Sequence, residues 1–124
     1  MINKILIPSI LATFLIGCEE PQPPEVSFAN EVKPMIDQNC TECHIAGQKG
    51  TEASGFMTVD YDSIMKGTKY GPVVVPGSAI SSTFYRLIAG KVDSSIRMPH
   101  GKEAISEGNI MKIEKWIDQG AKNN

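Results

Sequence analysis

The chain is short of aromatic side chains, cysteines, long apolar runs and surplus positive charge, and each shortage removes a class of protein. Aromatics are 6% of its 124 residues, so a domain of this size has only a modest core of its own. The formal net charge is −2, and this mild acidity argues against nucleic acid as a partner, which requires basic surface. The longest apolar run, residues 5 to 16, is broken by Pro8, Ser9 and Thr13 and is too short for a membrane span. No segment alternates as a strand, and no βαβ pattern surrounds any cysteine, so a thioredoxin-like sheet is not indicated. What remains, with 41% hydrophobic and 21% charged residues, suits one small globular domain and not a disordered chain.

The N-terminus reads as a targeting segment. Lys4 precedes the short apolar run, the order of a secretory signal. Leu15-Ile16-Gly17-Cys18 resembles a bacterial lipobox, which implies cleavage after residue 17 and lipid on Cys18. An ordinary secretory signal and an uncleaved anchor are the alternatives, and all three export the domain. Removal of Lys4 makes the mature chain one charge more negative. Residues 19 to 25, Glu-Glu-Pro-Gln-Pro-Pro-Glu, favour extended polyproline geometry over helix. The expected organisation is therefore a signal over 1–17, a lipidated proline-rich tether over 18–26 and a domain over 27–124. The protein is expected to be lipid-anchored to a bacterial membrane, facing the periplasm or the cell exterior. Glu19 differs from the aspartate associated with inner-membrane retention, which by analogy favours the outer membrane.

With Cys18 assigned to lipid, Cys40 and Cys43 remain, in Cys40-Thr41-Glu42-Cys43-His44. A four-cysteine zinc site is excluded, and a site recruiting His44 and His100 needs adjacent Cys43 and His44 on one tetrahedral ion, an awkward spacing. A Cys-x-x-Cys redox dithiol is the second alternative. Haem attachment fits better. Cysteines at i and i+3 share one face of a helical turn, so both reach the two vinyl groups of one haem while the next residue turns its imidazole to the iron. Export also places the chain where such haem is attached.

The sixth iron ligand must come from further along. Met1 lies in the signal and Met35 stands too close to the motif. Met65 falls in an expected helix, residues 61 to 66, capped by Asp60 and ended by Gly67; Met111 falls on the final helix, and both read as core filler. Met98 sits in Arg97-Met98-Pro99-His100-Gly101, a loop that proline constrains, and is the favoured ligand. Met57 is a weaker alternative, and His100 would give a bis-histidine site.

Cys40-x-x-Cys43-His44 followed by Met98-Pro99 resembles a class I cytochrome c. Val32-Lys33-Pro34, Gly71-Pro72, Val75-Pro76-Gly77-Ser78, Ser82, Tyr85-Arg86-Leu87-Ile88, Trp116-Ile117 and Gly120-Ala121 extend the resemblance to the planctomycete-type monohaem domains, over about residues 27 to 122. The resemblance implies a small all-α class I cytochrome c fold with N- and C-terminal helices crossing around a covalently bound haem c. Cys40 and Cys43 would attach the haem, and His44 and Met98 would ligate its iron. Pro76, Tyr85, Arg86 and Pro99 become candidates for the haem pocket, with Arg86 reaching a propionate or lying in solvent. Residues 45 to 54 match nothing in this pattern, and their glycines and polar residues suggest a surface loop.

Periodicity agrees without depending on the resemblance. Phe28, Val32 and Ile36 recur on one helix face, with Pro34 kinking that helix or starting its second part. Ser82 can cap a helix carrying Phe84, Leu87 and Ile88 to Gly90. Ser106 can cap one carrying Ile110, Ile113, Trp116 and Ile117 to Gly120. Trp116 is expected near the helix crossing or the haem, as a core aromatic. Because haem would supply much of the core, the haem-free chain is expected to be largely unfolded.

A six-coordinate iron has no vacant position, so single-electron transfer between Fe(II) and Fe(III) in a respiratory or periplasmic chain is the expected work, and not catalysis. Dehydrogenase or oxidase partners and a membrane reached through lipid on Cys18 follow. Two further readings are a haem sensor or peroxidase-like enzyme with labile Met98, and an electron-relay subunit of a larger oxidoreductase.

Overall fold

A computed structural model describes residues 21 to 124. The apolar run, the lipobox and Cys18 lie outside the described residues. Ser27 opens the first rod: its hydroxyl accepts the Asn30 N–H at 3.2 Å, and Glu31 accepts the Ser27 N–H at 3.1 Å. Three segments follow end to end, a π-helical turn Phe28–Val32, α1 (Lys33–Ile36) and a second π-helical turn Asp37–Thr41. Pro34 stands in the first turn of α1, as the start of the rod's second part. A proline ring clashes with the carbonyl four residues earlier, and the Lys33 N–H instead reaches back five residues to Phe28. The expected apolar face holds, with Phe28, Val32 and Ile36 all buried.

Beyond the rod come α2 (Lys49–Ser54), α3 (Tyr61–Lys66), α4 (Thr83–Ile88), a 3₁₀ turn Ser94–Ile96 and α5 (Glu107–Asp118). The fold is all-α, as the sequence implies; among the described residues the only strand-like pairing is an isolated bridge, Thr68 with Gly71. Helix α3 has the expected bounds, with the Asp60 carboxylate accepting the Ser63 N–H at 2.8 Å. The Ser106 hydroxyl caps α5 through the Asn109 N–H at 3.4 Å.

Ser82 behaves differently from the expectation. It precedes α4 but its hydroxyl makes no cap bond. Instead it is buried, donates to the Ser78 carbonyl at 2.9 Å and accepts the Val75 N–H at 2.8 Å, so it pins the preceding loop. Phe84, Tyr85 and Ile88 are the buried residues of α4.

The first rod packs against α5. Phe28 lies 5.5 Å from Trp116 and 5.1 Å, edge-on, from Tyr61, measured between ring centroids. Both polar rims are satisfied: the Trp116 Nε1–H donates to the Lys122 carbonyl at 2.9 Å and the Tyr61 hydroxyl to the Ala121 carbonyl at 2.7 Å. Trp116 is thus a residue of the crossing. The same corner fastens both ends of the domain. The Val26 N–H donates to Gln119 Oε1 at 2.8 Å, Gln119 Nε2 donates to the Pro24 carbonyl at 3.1 Å, and the Phe28 N–H donates to Asn124 Oδ1 at 2.8 Å. Val26 is buried in the core, so packing begins ahead of the expected boundary at residue 27. Met111, expected as core filler, is 65% exposed on the outer side of α5.

Candidate functional site

The second π-helical turn delivers the cysteines. Chain past Thr41 keeps turning, with the Cys43 N–H on the Cys40 carbonyl at 3.1 Å and the His44 N–H on the same carbonyl at 3.1 Å. That spacing sets Cys40, Cys43 and His44 on one side, where all three line a cavity of about 430 Å³. Cofactor pockets span roughly 300–1,000 Å³. Its wall is mainly apolar: Ala53 from α2, Phe56, Phe84, Leu87 and Ile88 from α4, and Pro99.

Met98 lines the same cavity. Its N–H donates to the Leu87 carbonyl at 3.1 Å, which ties its loop to α4. His100 follows it onto the wall. The other described methionines do not reach the cavity: Met35 is in the core, Met65 packs against the core and Met57 is half-buried elsewhere. Of the four expected pocket residues, Pro99 alone is on the wall. Tyr85 is buried in the core of α4 beneath Lys91, Pro76 is exposed, and Arg86 points to solvent with Nη2 3.5 Å from Thr83 Oγ1.

His44 is oriented from behind. Its Nδ1 lies 3.2 Å from the Phe56 carbonyl; a carbonyl can only accept, so Nδ1 carries the hydrogen, and in the neutral ring the lone pair is on Nε2. That is the tautomer and support expected of a metal-ligating histidine. The Thr51 hydroxyl donates to the same carbonyl at 3.0 Å, and the Thr58 N–H donates to the His44 carbonyl at 2.9 Å.

The segment expected as a surface loop after His44 is partly helical. Residues of α2 press on the histidine, and Gly50 is where they do so most closely. A Cβ there would stand 2.6 Å from the Cys43 carbonyl oxygen and 2.8 Å from His44 Cε1, so only glycine allows the approach. Gly50, Thr51 and the Phe56 carbonyl were not legible from the sequence. Two act through backbone, which leaves no residue-type signature, and the third is a threonine in an unremarked polar stretch.

Charge around the cavity is one-sided. Among the described residues, Lys49 and Lys102 line it and no carboxylate does. Lys102 pairs with Glu42, between the two cysteines; that bond lowers the Glu42 pKa and raises the Lys102 pKa. Burial first, and then the Asp37 carboxylate, push the Cys40 thiol up to about 11. A protonated, half-buried thiol is the opposite of the low-pKa thiolate that a redox dithiol requires. Among the described residues no three His, Cys, Asp or Glu side chains converge as a metal cage.

These residues fit a haem. Two thiols three positions apart, an imidazole held through its Nδ1–H by a carbonyl, a thioether on the same apolar cavity and lysines on its wall match the group's vinyls, iron and carboxylates. Comparison with known proteins agrees with this chemistry. No curated protein and no solved structure matches the chain significantly. The family model described as planctomycete cytochrome C matches residues 40–101, from the first motif cysteine through the Met98 loop. The chain belongs to that family and carries a planctomycete-type cytochrome c domain.

Proposed function

We propose that this protein carries single electrons on one haem c in a respiratory or periplasmic redox chain. Cys40 and Cys43 attach the group, and His44 and Met98 ligate its iron. A cytochrome c domain is suited to haem-based electron transfer. The observation that carries the finer reading is the convergence of Met98 with Cys40, Cys43 and His44 on one apolar cavity.

Haem supplies an iron that cycles between Fe(II) and Fe(III). The protein's part is positional. The Phe56 carbonyl holds the His44 ring and raises its basicity through Nδ1–H. Leu87 and Pro99 fix the ends of the Met98 backbone, and a thioether so placed favours the reduced iron and a raised potential. Phe56, Phe84, Leu87 and Ile88 exclude water, so little solvent rearranges when the charge changes. His100 on the same wall supports a second reading, bis-histidine ligation. On the lipobox resemblance, we also propose that lipid on Cys18 confines the domain to a membrane surface, where it meets dehydrogenase or oxidase partners at high effective concentration.

Optical spectra of the oxidised holoprotein and of Met98→Ala test the ligation. The expected result is a weak long-wavelength sulfur-to-iron band in the wild type that disappears in the variant. A low-spin wild type without that band whose spectrum changes in His100→Ala assigns the site to His100. A high-spin wild type overturns the closed-carrier reading in favour of an open, ligand-binding iron.

A further inference from the structure

The Met98 loop forms one wall of the cavity with few fastenings. Met98 is bonded through its N–H to Leu87, and Ile105 is buried at the loop's other end. Between them, residues 99 to 105 make one polar tie to the rest of the described protein, the ion pair of Lys102 with Glu42. Gly101 adopts φ +70°, a left-handed turn that glycine permits, and Lys102 after it lines the cavity. Glu42 is the C-cap residue of the π-helical turn Asp37–Thr41 and stands between Cys40 and Cys43.

We propose that Glu42 and Lys102 are positioning residues that latch the Met98 loop shut, and so set how readily a small nitrogen donor displaces Met98 from the iron. The inference rests on the haem reading above and goes beyond it, since neither side chain is a ligand. In the displacement an Fe–S bond breaks and an Fe–N bond forms, with no change of oxidation state. Both partners are solvent-exposed, with side-chain exposures of 42% for Lys102 and 75% for Glu42. The latch is therefore weak and salt-sensitive.

Imidazole titration of the ferric holoprotein, followed by loss of the sulfur-to-iron band, is the test. Glu42→Gln and Lys102→Gln should each bind imidazole roughly two- to fivefold more tightly than the wild type. The double variant should gain no more than either single one, because both remove the same interaction. Molar salt should bring the wild type toward the variants and leave the variants unmoved. Lys112→Gln, which removes the pair with Glu31 at the helix crossing, should keep wild-type affinity. A normal band with unchanged affinity in the single variants, or gains that add in the double variant, overturns the latch alone. Absence of the band in the wild type overturns the ligation reading and the latch with it.

Discussion

At the helix crossing, Phe28, Tyr61 and Trp116 fill one another's gaps, and the indole and phenol each find a carbonyl. On the other side of the molecule, short helices and loops surround a cavity of about 430 Å³ whose wall is mainly hydrophobic side chains. The two regions draw on the same small stock of aromatics: Phe28, Tyr61 and Trp116 serve one, Phe56 and Phe84 the other. One region carries its whole core in the polypeptide. On the haem reading, the other is completed by a large apolar cofactor, which would add the core that so few aromatics leave short.

Cys40→Ser/Cys43→Ser should break the comparison most severely. The expected product has no haem surviving a denaturing gel and little helical circular dichroism, because the cavity side then has no core. Near-native helicity in this variant would mean that the crossing alone organises the domain. Trp116→Ala attacks the other side. It should lower stability to denaturant by about 3–5 kcal/mol, the usual cost of emptying a buried aromatic site, while leaving the haem spectrum of the folded fraction unchanged. A spectral change would show that the two regions are not separable.

The smallest effect is expected at Asp60, the exposed cap of α3 one residue before Tyr61. The Ser63 hydroxyl and then its backbone N–H hold the Asp60 pKa below the usual carboxylate range. A depressed folded-state pKa gives stability that is present above the unfolded carboxylate's pKa and is lost as pH falls through the folded one. Asp60→Ala should lower Tm slightly at neutral pH, and the difference should shrink in acid. Melting curves of the two proteins from neutral pH to below the carboxylate range would show it, and a constant difference would refute the assignment.

The same contrast explains what could be read in advance. Asp60, Gly67 and Ser106 mark helix ends by local chemistry, and Phe28, Val32 and Ile36 mark a face by spacing, so the crossing was legible. The shared cavity of Cys40, Cys43, His44 and Met98 was anticipated from the Cys-x-x-Cys-His spacing and from the proline after Met98, while their roles rest on the haem reading proposed above. Helix α2 was not. Six residues bounded by Gly47 and Gly55 are too few to be stable alone, and what holds them is contact with Cys43 and His44. Ser82 has the right chemistry for a cap, but Val75 and Ser78 compete for its hydroxyl. Tyr85 and Arg86 lie on α4 beside Leu87 and Ile88, yet one packs into the core and the other faces solvent, a choice made by helix orientation that a motif does not encode.

The fastening of the two ends at one corner has a mechanical consequence. The proline-rich strap meets the domain where Val26 and Phe28 are bonded to Gln119 and Asn124 and Glu25 is paired with Lys122. Tension transmitted along that strap is taken up first by those bonds and by the Phe28–Trp116 packing behind them. The Met98 loop is fastened to α4 and to the cysteine motif instead, so it is off the line of load. On the tethered-haem reading proposed above, tension on the N-terminal leash would load the helix crossing and spare the loop that carries Met98.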